Sequence, residues 1–218
     1  MAEHLNILRR VGWVLVCVGL LDIGLMVYCI MNKISYSSSL NIFAVIGGVF
    51  LLRGHLGAVR VLTWFSGFMF SGMFFASLLV FPWLQPMEYS LLMLREYPGA
   101  SLVAVLFMMA SLAMLLWVYT RLRLPAVVHA LVAAGHRQEA PKSAFLAGGA
   151  LALFLAVTLQ LTLKGDAAQE AIRLAEKDHG DEYAYFVTNI HWGARQVSAR
   201  LTGYTKGDRK EVAVEWAR

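Results

Sequence analysis

Asp22 is the residue with the clearest potential for chemistry, because it lies near the centre of the first long apolar stretch of the chain. A carboxylate at the middle of a bilayer costs about 2.5–3.5 kcal/mol on insertion scales unless it is paired or protonated. Such a residue is typical of proton or cation pathways. No second acid lies at a similar depth in the other apolar stretches of the sequence. Two interpretations therefore stay open, an ion pathway or a neutral, hydrogen-bonded aspartate. The candidate partners are Ser71, Ser111, Thr158 and Arg53.

The histidines and the remaining acids do not form a catalytic or metal-binding pattern. His129 and His136 are about 10 Å apart along a helix, which is too far for both to bind one ion. The acidic run from Asp178 to Glu182 contains turn-forming residues, which favours a solvated loop over an acid–base site. The sequence contains no Walker loop, no G-x-S-x-G and no H-E-x-x-H motif. We therefore expect no enzymatic activity, no cofactor and no bound metal.

His191 and Trp192 form an adjacent aromatic pair in the C-terminal part of the chain, at a position that reads as a turn between two strands. A tryptophan that is exposed there would indicate a contact surface for another protein. Burial of the same ring against a sheet is the alternative. The pair is therefore a candidate contact surface.

Small residues recur every four positions in the last apolar stretch, and a glutamine continues the same helical face. Small side chains let a neighbouring helix approach closely in a membrane, and the glutamine amide can form a hydrogen bond across the contact. Packing within one bundle and self-association of two chains would both use this face. The residues are Ala144, Gly148, Ala152, Ala156 and Gln160.

The composition is that of a membrane protein. Of 218 residues, 59% are hydrophobic and 15% are charged, and the mean hydropathy is +0.61, well outside the range of soluble domains. The net charge of +5 arises entirely before residue 164, since the last 55 residues carry nine basic and nine acidic side chains. A positive balance confined to membrane connections sets orientation and does not indicate nucleic-acid binding. The predicted partner of this part is the lipid bilayer.

Five apolar segments can be drawn as transmembrane helices, and the predicted fold is a five-helix bundle that occupies residues 1–163. The second segment is the weakest, because 15 residues are short for a hydrocarbon core of about 30 Å. The predicted spans are Val11–Met31, Ser38–Leu52, Val61–Trp83, Ala100–Tyr119 and Ser143–Leu163.

The charges of the connections predict the orientation. One side of the bundle receives eight Lys and Arg residues and the other receives two, Lys33 and Arg95. The positive-inside rule then places the N-terminus in the cytoplasm and, with five spans, the C-terminus outside it. For a bacterial cell this is an inner-membrane protein with a periplasmic tail. The eight residues are Arg9, Arg10, Arg53, Arg60, Arg121, Arg123, Arg137 and Lys142.

Two of the connections are predicted to contain short helices at the membrane surface. The outer connection, Leu84–Gly99, places Met87, Leu91 and Leu94 on one helical face. The inner connection begins with Pro125 at a helix start and has Gly135 where the helix would end.

Residues 164–218 are predicted to form a small soluble extracytoplasmic domain of one helix and an antiparallel three-strand meander. Asp166 and Gln169 resemble a capping box before a helix over Ala167–Lys177. Alternating apolar residues predict strands over 182–190, 194–202 and 210–217. A unit of this size is marginally stable alone. We therefore expect it to lean on another tail, on the outer connection helix or on a partner protein.

The sequence favours a non-enzymatic inner-membrane protein with accessory, assembly or sensing function, which contacts another membrane or periplasmic protein, or itself, through its C-terminal domain. The alternative is a small transporter or channel subunit that uses Asp22. A membrane enzyme acting on a lipid or envelope substrate is the third hypothesis, although the sequence supplies no nucleophile for it.

Overall fold

A computed structural model of the protein describes residues 2–33, 41–80, 85–136, 141–205 and 208–217. The chain is mainly helical and ends in a three-stranded antiparallel sheet. The helices are α1 (Ala2–Met31), α2 (Asn41–Leu52), α3 (Leu56–Phe75, continued by a π-helical segment, Ala76–Val80), α4 (Met87–Glu96), α5 (Pro98–Leu122), α6 (Pro125–Ala133), α7 (Lys142–Lys164) and α8 (Asp166–His179). The strands are β1 (Ala184–Trp192), β2 (Gln196–Tyr204) and β3 (Arg209–Ala217).

Four helical segments are long and apolar enough to cross a membrane: Glu3–Met31, Leu56–Leu79, Pro98–Leu122 and Lys142–Lys164. They correspond to four of the five predicted spans. The apolar helix Ile42–Leu52 is shorter and covers about 16 Å, roughly half of a hydrocarbon core. The first residues of the predicted second span, from Ser38, lie outside the described part of the chain.

Two compact units divide the fold, and the boundaries between them fall inside helices. The first unit comprises residues 1–71 and 111–146, and the second comprises residues 72–110 and 147–218. The C-terminal sheet therefore belongs to a unit that also includes α4 and parts of three long helices.

In the first unit, α1 and α2 form an antiparallel pair whose backbones touch. A Cβ atom added to Gly48 would lie 2.7 Å from the carbonyl oxygen of Gly12, and one added to Gly12 would lie 2.8 Å from that of Gly48. Only glycine leaves room for such an approach. Further along α2, Gly54 lies beside Leu5, so the end of α2 returns to the start of α1.

The core of the first unit lies where four helix ends meet the short helix α6. It brings together the start of α1, the end of α2, the start of α3, the end of α5 and the short helix α6. These side chains are apolar and at most 6% exposed, and they exclude water and lipid from the contact. The residues are Leu8, Val11, Leu15, Leu51, Val59, Val118, Leu122 and Val127.

The start of α7 packs against α3 and α5 in the same unit. The Ser71 hydroxyl donates a hydrogen bond of 2.6 Å to the backbone oxygen of Phe145, and the Phe145 ring meets Tyr119 edge-on at 5.2 Å. Trp64 donates to the hydroxyl of Ser143 over 3.3 Å. The first turn of α7 is therefore fixed by both polar and aromatic contacts.

In the second unit, α8 lies on one face of the sheet. Its three buried alanines, Ala168, Ala171 and Ala175, recur at helical spacing and allow close contact with the strands. The sheet contributes Tyr185, Val187, Ala199, Leu201, Val212 and Val214 to this core. The strands follow each other in the order β1-β2-β3, which confirms the predicted meander.

Two local predictions for this region were wrong. Asp166 is the first residue of α8 and does not cap it, since the N-cap is Gly165 and no side chain makes a capping hydrogen bond there. His191 and Trp192 do not form a turn; they are the last two residues of β1, paired with Ser198 and Val197. The strand continues past Ile190 because these residues still find partners on β2.

A β-bulge in β1 changes which side chains reach α8. The register shifts between Val187 and Asn189, so that Asn189 pairs with Arg200 and Ile190 pairs with Ala199. A bulge adds one residue to a strand and so reverses the alternation of its side chains. Tyr185 and Val187 face α8 before the bulge, and Ile190 does so after it.

Replacement of Gly48 by alanine is expected to destabilise the protein by about 1–3 kcal/mol, because the new methyl group would overlap the backbone of α1. The matched control is G24A, since a Cβ on Gly24 meets no atom within 4 Å and alanine favours helix. The measurement is the midpoint of thermal unfolding in detergent. A G48A midpoint equal to or above that of G24A would contradict the close packing.

Candidate functional site

The face of the sheet that is turned away from α8 meets α4 through three aromatic rings, which we call the aromatic contact: Tyr89, Phe186 and Tyr204. The Tyr89 ring lies 4.9 Å from that of Phe186 and 5.7 Å from that of Tyr204, both edge-on. Phe186 and Tyr204 are 5.9 Å apart. Edge-to-face pairs of this kind each contribute about 0.5–1.5 kcal/mol beyond the area they bury.

Polar groups extend the aromatic contact at its edge. The hydroxyl of Tyr204 lies 3.4 Å from a carboxylate oxygen of Glu88 and donates to it. Burial and the neighbouring Glu88 carboxylate raise the pKa of Tyr204 above its ordinary value of 10.0, because both disfavour the phenolate. Tyr204 therefore stays protonated and remains a donor across the neutral pH range.

Arg209, the first residue of β3, anchors the strand to the end of α4. Its guanidinium carbon lies 5.3 Å from the ring centre of Tyr97, and one of its nitrogens lies 3.7 Å from the sulfur of Met93. A hydrogen bond to Tyr89, followed by the neighbouring Tyr97, raises the pKa of Arg209. The arginine therefore presents a permanent positive charge that holds β3 against α4.

Asp208 immediately precedes β3 and holds the start of that strand. One of its carboxylate oxygens accepts a 2.7 Å hydrogen bond from the hydroxyl of Tyr183, and the other accepts a 2.8 Å bond from the amide of Arg209. These donors, the tyrosine first, lower the pKa of Asp208 below 3.8. The ammonium of Lys210 lies 3.9 Å from the ring centre of Tyr183. The start of β3 is thus held by charge-assisted contacts.

His191 and Trp192 both lie exposed at the far end of β1, and 53% of the Trp192 side chain is accessible. The aromatic contact, at the other end of this strand, includes Phe186. The two residues pair with the beginning of β2. They therefore offer an accessible edge of the sheet.

The third strand forms one edge of the sheet, because the strand order places only β2 beside it. It is regular over nine residues, and its pairing with β2 has no register shift. Val212 and Val214 are buried on the α8 face, whereas Glu211 and Glu215 are exposed and share the opposite face. The other edge strand, β1, carries the bulge, which weakens an edge as a template for pairing.

Asp22 is half-buried on α1. The structure separates it from Arg53, one of its candidate partners: Gly54 lies beside Leu5, about 25 Å along the helix from Asp22. Thr158, another candidate, donates its hydroxyl hydrogen bond to the backbone oxygen of Phe154.

The small-residue face of α7 is buried at all four of its alanine and glycine positions, which are Ala144, Gly148, Ala152 and Ala156. In the first unit, a Cβ on Gly67 would lie 3.7 Å from that of Ala144, and in the second, a Cβ on Gly72 would lie 3.7 Å from the backbone oxygen of Gly148. Ala144 and Gly148 therefore lie close to α3. Gln160, which continues the stripe in sequence, is exposed.

The first unit contains an apolar cavity of about 490 Å³ between α1, α2, α3 and α5. Leu15, Phe43, Leu62 and Met114 are among the residues that line it, and His55 and Ser66 are its polar members. The Ser66 hydroxyl already donates to the backbone oxygen of Thr63. The cavity therefore suits a hydrocarbon chain better than a polar substrate.

The acidic run of the tail is solvent-exposed from Asp178 to Glu182. Asp178 and His179 end α8, and Gly180 follows with a positive φ of 84°. Within the described ranges, no three side chains of the His, Cys, Asp and Glu types come together as a metal site.

The sequence did not identify the residues of two important contacts, although contact of the tail with the outer connection helix was one of the three expectations for it. The glycine contact between α1 and α2 had a signal, since Gly47 and Gly48 interrupt an apolar helix without ending it. The aromatic contact had none, because Tyr89, Phe186 and Tyr204 are widely separated in sequence and are ordinary residues for a surface helix and two strands. No known protein family, curated protein or solved structure matches the chain.

Replacement of Tyr89 by alanine is expected to loosen the sheet from α4, because it removes the ring shared by both other members of the aromatic contact. The measurement is amide hydrogen exchange of β1 and β2 in the full-length protein, with an expected loss of protection of about tenfold for a contact of roughly 1–2 kcal/mol. L91A is the control on the same helix, since Leu91 is 61% exposed. Equal protection in Y89A and L91A would show that the rings do not hold the sheet.

Proposed function

We propose that the protein is a multi-pass inner-membrane accessory or assembly protein whose C-terminal αβββ unit contacts a partner protein outside the cytoplasm. The observation that carries the proposal is the β3 edge, which pairs with no described strand other than β2 and belongs to an ordered sheet anchored on α4 and α8. Extended segments of other proteins commonly add to such edges as an extra strand.

The charge of β3 favours a particular partner. Glu211 and Glu215 lie exposed on one face of the strand, so an added strand is stabilised by basic residues at matching positions. A second copy of this chain, in the antiparallel register that aligns Val212 with Val214, would place Glu211 opposite Glu215. Like charges opposite each other are destabilising. A second copy is disfavoured in this register, and we propose an extended, basic segment of a different protein as the partner.

Five membrane crossings fit this role best. The core of the first unit joins the start of α1, the end of α2, the start of α3 and the end of α5, and α7 starts beside α3 and α5 in the same unit. If α2 returns the chain to the side where α1 begins, the number of crossings up to the end of α7 is odd. Arg9, Arg53, Arg60 and Arg121 belong to these same helix ends, which favours a cytoplasmic N-terminus.

The alternative, a transporter or channel subunit, has less support. Asp22 is the sole acid away from a helix end in the four candidate spans that the structure describes, and a pathway across the membrane commonly uses a series of such groups. Unchanged ion-coupled flux in a D22N variant reconstituted in liposomes would remove this alternative.

Fusions of a topology reporter are expected to place the two termini in different compartments. A periplasm-active reporter such as alkaline phosphatase should be active after residue 164 and inactive when its fusion point follows residue 54, because an odd number of crossings separates these positions. The measurement is enzyme activity normalised to fusion level. The opposite pattern, activity after residue 54 and none after residue 164, would mean that α2 lies on one side of the membrane without crossing it.

Reversal of both β3 charges, E211K/E215K, is expected to abolish crosslinking of the partner, because the added lysines repel a basic strand. A photoreactive residue at Ala213, which is exposed between them, reports the contact in cells. The control is E176K/D178K, which makes the same change in charge on exposed positions of α8. If both double variants keep the crosslinked product, or neither does, the β3 edge is not the contact site.

A further inference from the structure

An open groove of about 610 Å³ lies between α1 and α5 in the first unit, and we call it the arginine–tryptophan groove. It is lined by Asn6, Arg9, Arg10, Trp13, Val14 and Trp117. The last four of the α1 residues lie three, four, seven and eight positions after Asn6, so all five share one helical face. The groove is therefore built into the helix pair and does not depend on a loop.

The groove carries strong positive charge. Arg9 and Arg10 are both exposed along it. A third guanidinium, that of Arg121, lies 5.8 Å from the ring centre of Trp117, which lines the opposite wall. Within the described residues, the one salt bridge joins Arg173 to Glu170, so no described carboxylate neutralises these three arginines. An anion would find several free guanidinium donors there.

Two features of the groove indicate a lipid rather than a soluble anion. Trp13 is 60% exposed and belongs, with Val14, to a helix long and apolar enough to span a membrane. Tryptophan indoles are favoured at the level of lipid headgroups, and the apolar side of the groove continues along the helix toward the acyl chains. A soluble phosphate would leave Trp13 and Val14 without an apolar partner.

We propose that the arginine–tryptophan groove is a binding site for the phosphate headgroup of an anionic phospholipid. Arg9 and Arg10 donate hydrogen bonds to the phosphate oxygens, as basic pockets between transmembrane helices do for acidic lipids. Trp13 and Trp117 pack against the glycerol backbone and the first carbons of the acyl chains. The site is independent of the β3 edge and of its partner.

The test measures lipid retention by native mass spectrometry on the full-length protein in a neutral detergent. Phosphatidylglycerol and phosphatidylcholine with identical acyl chains are titrated in parallel. We expect phosphatidylglycerol to be retained about tenfold better than phosphatidylcholine, and R9Q/R10Q to lose about tenfold of that preference. Equal retention of the two lipids by the wild-type protein would overturn the proposal.

Matched variants separate the groove from general positive charge. R53Q/R60Q removes two exposed arginines that do not line the groove and should change retention less than twofold. A loss equal to that of R9Q/R10Q would show that any arginine at this membrane surface suffices, and the groove would not be a site.

Further variants test whether loss of binding reflects misfolding, and a competition experiment tests whether the phosphate belongs to a lipid. R9K/R10K keeps the positive charge that orients the helix but loses the bidentate geometry of arginine. R121Q removes the guanidinium beside Trp117 on the other helix, α5. Both should insert normally and retain less phosphatidylglycerol, and unchanged retention in both would overturn the proposal.

Soluble glycerol 3-phosphate at equal concentration should not displace the lipid; displacement would show a site for free phosphate esters instead.

Discussion

The contact between the backbones of Gly12 and Gly48 is the constraint on which the first unit depends. Helix α2 has only 12 described residues. So short a helix needs close packing to be fixed in position. Two glycines at the crossing bring the helices close enough for their backbones to touch, and dispersion contacts over such a short distance are collectively large. Because α2 is held antiparallel to α1, its end returns to the start of α1, where the apolar core of the unit forms.

The small sheet of the second unit is stabilised by packing on its two faces. A tail of about 55 residues buries too little apolar surface to be very stable, yet its sheet has a packing contact on each face. The alanines of α8 allow close packing on one face, and the rings of Phe186 and Tyr204 meet Tyr89 of α4 on the other. The expectation that the tail leans on the connection helix therefore agrees with the observed contact. The bulge in β1 adds Ile190 to the α8 side.

The exposed charged side chains lie at the edges of the two units more than in their interiors. In the first unit the arginines border a groove, and the cavity between α1, α2, α3 and α5 is almost entirely apolar. In the second unit the exposed carboxylates lie along a free strand. Charged surfaces of this kind are typical of contacts with partners of opposite charge. Both proposals above follow from that distribution.

The sequence by itself determined the class of the protein, the four long apolar helices, the two short connection helices and the helix followed by a three-strand meander. These features depend on hydropathy, on periodicity and on residues such as Pro125, all of which act within a few neighbours in sequence. Only the tertiary structure decided that Gly12 meets Gly48, that β1 shifts its register after Val187, and that Tyr89 packs between two strands about a hundred residues away in the chain. Each of these depends on contacts between distant segments, for which the local pattern of residue types carries almost no signal.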